Sequence, residues 1–205
     1  MRKKLIKIIS IFTLFLICIV SIQKISYATL QSKDKVVNTF NLGDIDVEVN
    51  EEFTPPKNWN GSEYLKKVQI KNKSKSQTLI RVSITPRWTD EIGNPWIGDT
   101  NLVKLNYKNT TKGQNEIGTN KWIYGDDNYY YYNSIVEKGK KTKILLESVE
   151  AKIPEDLKER YKNKTLVVDV KTEAIQATKD AYRKSWTDIE NNTKIVNILD
   201  NLCIR

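Results

Sequence analysis

The stretch Thr165–Trp186, TLVVDVKTEAIQATKDAYRKSW, decides how the rest of the chain is read. Leu166, Val168 and Val170 alternate with Val167, Asp169 and Lys171, so one face is apolar and the other mostly polar. A period of two is the pattern of a strand with one buried side. From Ala174 the spacing changes. Ala174, Ala177, Ala181 and Trp186 lie among Gln, Thr and Lys, which predicts a turn or short helix instead of a continued strand. Glu173 and Gln176 then mark the polar end of a scaffold strand. Such a segment is expected as the last core strand of a β-domain, with its partners upstream.

Those partners follow from the same period. Ile45, Val47 and Val49 alternate with Asp44, Asp46 and Glu48, which predicts a half-buried strand. The acids there are its solvent face, and the Asp-rich spacing of a calcium loop is missing. Thr54–Tyr64, with Pro55-Pro56 and Asn60-Gly61, is a loop by composition. Lys67–Lys71 and Thr78–Pro86 read as strands about five residues apart, an expected antiparallel hairpin. Arg87–Asp99 is aromatic and loop-like, with Trp88 and Trp96. Leu102–Tyr107, Trp122–Tyr124, Tyr129–Tyr132 and Thr142–Val149 complete the β-prone pieces, with a turn at Gly125-Asp126-Asp127-Asn128. In a strand the four tyrosines Tyr129–Tyr132 divide between two faces. Pro154–Lys164 is a charged, helical connection. After Thr187, Ile195, Ile198, Leu199 and Leu202 fall on one helical face and predict an amphipathic tail.

Residues 1–28 read as an export signal. Arg2–Lys7 is a positive leader, Ile8–Ile22 an apolar run, and Ser26-Tyr27-Ala28 offers small residues for cleavage between Ala28 and Thr29. The run is shorter than the roughly 20 residues that span a bilayer, so the membrane is a partner only through the uncleaved signal. The resulting organisation is a signal peptide at 1–28, a β-domain at 29–186 and an amphipathic tail at 187–205.

Composition closes several functions. The formal net charge is +9, and five cations precede residue 29 without an acid, leaving about +4. The lysines are scattered and carry no nucleic-acid motif, so nucleic acid is not an expected partner. With no histidine, a Ser-His-Asp triad, a Cys-His pair and an HExxH zinc helix are excluded. No catalytic residue, metal or cofactor is expected, and the chain is not expected to be an enzyme. Of the two cysteines, Cys18 falls in the signal, and Cys203 alone is a candidate intermolecular thiol.

Taken together, several segments resemble an exported Gram-positive family, the SipW-dependent biofilm matrix proteins related to TasA and camelysin, in its BsaA-like clostridial branch. The segments are Tyr27-Ala28, Asn38–Gly43, Lys67–Asn72, Ile80–Trp88, Tyr130–Tyr132 leading to Gly139 and Thr142, Thr172–Ala177, and Trp186. The resemblance implies a jelly-roll-type antiparallel β-sandwich. It implies a secreted, extracellular fibre subunit that self-associates, with other matrix subunits and a SipW-type signal peptidase as partners. It further implies that the segment freed by cleavage, residues 29–42, adds as a strand to the next subunit through Val36, Val37 and Phe40. Camelysin relatives have been classed as metallo-endopeptidases, and the missing histidines argue against that activity here. The alternative expectation is a monomeric secreted or surface module that binds polysaccharide or a host ligand through its Trp/Tyr loops.

Overall fold

Thr165–Gln176 forms one unbroken strand (β11) of 12 residues, including the part expected to turn. The computed structural model describes residues 37–41, 45–53, 56, 59–112 and 116–203, all within the unit Val36–Arg205. The strand continues through Ala174 and Ile175 because both of its faces are covered there. Ala174 lies in the core between two sheets, and Ile175 lies in a second core on the opposite face. A strand buried on both faces loses its alternation, so the sequence pattern ended before the strand did.

The other strands are Val37–Asn41 (β1), Val47–Phe53 (β2), Asn60–Asn72 (β3), Thr78–Thr89 (β4), Pro95–Trp96 (β5), Val103–Tyr107 (β6), Thr110–Thr111 (β7), Trp122–Tyr124 (β8), Tyr130–Tyr132 (β9) and Leu146–Lys152 (β10). One sheet has the order β1-β11-β4-β9-β8-β7, with β5 also on β4, and the other the order β2-β3-β10-β6. Most pairs are antiparallel; β1–β11 and β7–β8 are parallel. The fold is thus mostly β. Its main core draws Val47, Val49, Val68 and Ile70 from the second sheet and Ile80, Val82, Val168 and Val170 from the first.

The expected hairpin between β3 and β4 does not form. β3 pairs with β2 and β10, whereas β4 pairs with β11, β9 and β5 in the other sheet. The connection crosses between sheets, and Asn72 holds it. Its buried side-chain amide donates to the carbonyls of Ser76 and Val136, each at 2.8 Å, and its oxygen accepts from the Ser74 N–H at 2.9 Å. Two further boundaries move. β3 begins at Asn60, inside the expected loop, because Asn60 pairs with Lys152 of β10. β10 begins at Leu146, because residues 142–145 bond sideways to β3 through Thr142 and Leu145.

Lys158–Tyr161 forms a one-turn helix (α1) in the charged connection, as expected. The tail starts before Thr187. Lys179–Ser185 (α2) is capped by Thr178, and Thr193–Leu202 (α3) is capped by Asn192. Ile195, Ile198, Leu199 and Leu202 of α3 are buried, as their spacing predicts. With Tyr182 and Trp186 they cover Leu79, Ile123, Tyr131 and Ile175 on the outer face of the first sheet. The tail is therefore a third layer on the β-domain.

Candidate assembly edge and the charged cluster beside it

Among the described residues, β1 is the end strand of its sheet and pairs there with β11 alone. Its backbone pairs Val37 with Val170, Phe40 with Glu173 and Asn41 with Ala174. β1 covers only Val170–Ala174 of β11, while β4 pairs with β11 from Thr165 to Gln176. Thr165–Asp169 thus has no strand on that side among the described residues. Of the expected donor residues, Val37 and Phe40 lie on this edge strand; Val36 and the cleavage pair Ala28 and Thr29 lie outside the described residues.

The row that starts at this edge runs Phe40, Glu173, Arg81, Tyr131, Ile123 across five strands. Cross-strand neighbours share a face, so the row brings Glu173, Arg81 and Tyr131 together under the tail. The Arg81 Nε donates to Glu173 Oε2 at 2.8 Å. Its Nη1 donates to both Asp188 carboxylate oxygens, at 2.9 and 2.8 Å, and to the Tyr131 hydroxyl oxygen at 3.0 Å. Its guanidinium lies 4.1 Å from the Tyr129 ring centroid and 4.9 Å from that of Trp186. Tyr131 donates to Asp127 at 2.6 Å, Tyr129 donates to Glu173 at 2.6 Å, and Lys171 donates to Tyr129 at 2.6 Å.

These contacts set the charge states. Burial pushes the Glu173 carboxyl up, but hydrogen bonds from Lys171, Tyr129 and Arg81 outweigh it and hold the group below the usual carboxylate range. Burial likewise works against the Arg81 charge, and Tyr131, Asp188 and Glu173 more than restore it. Every polar atom of the guanidinium that this row reaches has a partner, so the cluster is a clamp between sheet and tail. A cavity of about 280 Å³ opens beside it, lined by Arg81, Lys171, Glu173, Ser185 and Trp186. Among the described residues no group of His, Cys, Asp or Glu is arranged to hold a metal ion.

A second ionic feature lies between the sheets. Lys66 is only 1% exposed, pairs with Glu51 and has its ammonium 4.3 Å from the centre of the Phe53 ring. Burial lowers its pKa, and Glu51 opposes that shift.

No family model matches this chain, and no curated protein or solved structure matches it significantly.

The remaining sequence candidates fall as follows. Tyr130 and Tyr132 pack toward the main core and Tyr131 and Tyr129 toward the tail, so the two-face division holds. Trp88 is 2% exposed and donates its indole N–H to the Asp99 carbonyl at 3.1 Å. Tyr161 stands edge-on to both Trp88 and Trp96, at 4.9 Å in each case. Gly98 permits this stack, since a Cβ there would sit 2.5 Å from the Trp88 ring. Cys203 is a free, half-buried thiol at the end of α3; burial, then Asp200, pushes its pKa up, which disfavours the reactive thiolate.

Neither the Arg81–Asp188 contact nor the burial of Lys66 was legible in the sequence. Arg81 occupies a position that period-two reading assigns to solvent, and only the tail folding back makes it interior. Lys66 has the parity of buried Val68 and Ile70 and Lys67 that of Gln69 and Lys71, but the strand reads only from Lys67.

Proposed function

We propose that this chain is a secreted, fibre-forming structural subunit of an extracellular biofilm matrix, assembling by N-terminal strand donation after removal of residues 1–28. The observation that carries it is the half-covered edge of β11. β1 pairs with five of the residues that β11 extends to β4, and it is the strand nearest the chain's N-terminal end. The same segment from another copy can make the same backbone bonds. The exchange conserves contacts, and freeing the residues before Val37 lets the donated strand extend along Thr165–Asp169. A contact made this way is heterologous, so it propagates instead of closing. It also covers an open strand edge, which otherwise invites unregulated pairing.

A jelly-roll-type sandwich belongs to the same proposal. The orders β1-β11-β4-β9 and β3-β10-β6, with β3 and β4 in opposite sheets, support it. The parallel β1–β11 pair departs from an all-antiparallel roll, and it is the pair assigned to exchange.

The experiment compares the chain beginning at Thr29 with a deletion of Thr29–Phe40, by sedimentation and electron microscopy. The longer form is expected to give sedimentable filaments. The deletion is expected to remain folded, since β11 keeps its full ladder to β4, and to stay soluble. Filaments from the deletion would sink strand donation, and a soluble monomer from both would sink the fibre subunit.

A further inference from the structure

A cleft of about 670 Å³ opens at the end of the sandwich where β3 begins and β10 ends. Its volume is in the range of small-molecule and oligosaccharide sites. The back is apolar, formed by Trp59, Trp88 and Tyr161, and Asn60 adds an amide at the rim. The charge is uneven. Lys152, Lys158, Lys162 and Lys164 line it, against Glu155 and Glu159. Lys158 pairs with Glu155 at 2.5 Å and Lys162 with Glu159 at 3.5 Å, all four side chains being more than half exposed. Such exposed pairs are weak and exchange readily with a ligand's carboxylate. Lys152 and Lys164 have no acidic partner among the described residues, and the Lys164 ammonium lies 5.4 Å from the Trp96 ring centroid.

We propose that this cleft binds an acidic oligosaccharide, a run of uronic acid residues, through the Lys152 and Lys164 ammonium groups and the apolar wall behind them. The wall selects against nucleic acid. Trp59, Trp88 and Tyr161 are 7%, 2% and 8% exposed, so no ring face is open for a base to stack on. Exposed Pro154 in the lining and the lysine methylene stems give a pyranose ring its apolar surface, with its carboxylate toward the ammonium groups. The two unpaired cations distinguish an acidic from a neutral sugar. The lining includes no residue of Val37–Asn41 or Thr165–Asp169, although Lys164 directly precedes Thr165, so the inference does not require the chain to polymerise.

The test is titration calorimetry of the full chain with a trigalacturonate, a neutral galactose trisaccharide and an oligo-dT strand. Trigalacturonate is expected to bind, to weaken as salt is raised, and to bind at least about tenfold more tightly than the neutral sugar. Lys152→Ala with Lys164→Ala is expected to weaken it about tenfold or more with the melting temperature unchanged. Lys140→Ala with Lys141→Ala, exposed lysines outside the cleft, is expected to leave it intact. Lys152→Gln with Lys164→Gln repeats the test should the alanine pair melt early. No binding of trigalacturonate, equal binding of the neutral sugar, equal loss in the distant pair, or oligo-dT binding lost in the cleft variant would each overturn the proposal.

Discussion

At the scale of single residues, the two interior ion pairs behave oppositely. Glu173 is held below its ordinary pKa inside the Arg81 cluster. The unfolded chain therefore binds the proton more readily than the folded one in that window. The stabilisation is complete above the unfolded value of about 4.3 and is lost as pH falls through the folded value. Glu173→Gln is expected to flatten the acid limb of a melting-temperature profile between about pH 2 and 5, and an unchanged slope would count against the clamp. Lys66 is different, because burial dominates its shift. Replacing one member of a buried pair strands the other, whereas replacing both removes two desolvation costs. Lys66→Met alone is expected to destabilise by roughly 3–5 kcal/mol, and Lys66→Met with Glu51→Leu to recover most of that loss in urea titration. A double variant no better than the single would show that the pair contributes net stability.

At the scale of elements, the tail is attached to the sheet by apolar contact and by a few polar ties. Asn192 is one of them. Its side-chain oxygen caps α3 by accepting from the Ile195 N–H at 3.2 Å, and its amide donates to the Gly125 carbonyl in the β8–β9 turn. Gly125 lets that turn approach, since a Cβ there would lie 2.5 Å from the Tyr131 ring. Loss of an N-cap costs about 1 kcal/mol, and the tie to the turn adds to it. Asn192→Ala is expected to lower stability by about 1–2 kcal/mol. It should also raise hydrogen exchange in residues 193–202 above that of β4 and β11. Uniform exchange across the molecule would mean that tail and sheet open as one unit.

At the scale of the whole molecule, the proposed assembly requires one exchangeable edge and no competing ones. A peptide covering residues 29–42, TLQSKDKVVNTFNL, carries the proposed donor strand. In excess it is expected to occupy the β11 edge, halt filament growth measured by light scattering, and leave preformed filaments intact. A scrambled peptide of equal charge should have no effect. Inhibition by both would point to charge alone.

The sequence determined most of the strand segments, which face of most of them is apolar, and that the tail is an amphipathic helix, because these follow from local periodicity; Asn60–Tyr64, Pro95–Trp96 and the end of β11 it read otherwise. Ile45, Val47 and Val49 are buried as their alternation requires, and so are Ile195 and Ile198. It also excluded histidine-dependent chemistry, since composition needs no fold. Only the tertiary structure decided partners. It placed β3 and β4 in separate sheets, because the Asn72 turn crosses the core rather than folding back. It put β1 on β11 in parallel, and it turned Arg81 and Glu173 from a presumed solvent face into a buried clamp. The physical reason is the same in each case. Periodicity records whether a face meets apolar surroundings, but what covers that face is supplied by residues distant in the chain, here about a hundred positions away for Arg81 and Asp188. The stretch Thr165–Trp186 spans both regimes: its first half follows its own pattern, and its second half remains a strand only because α2 and α3 fold back over it.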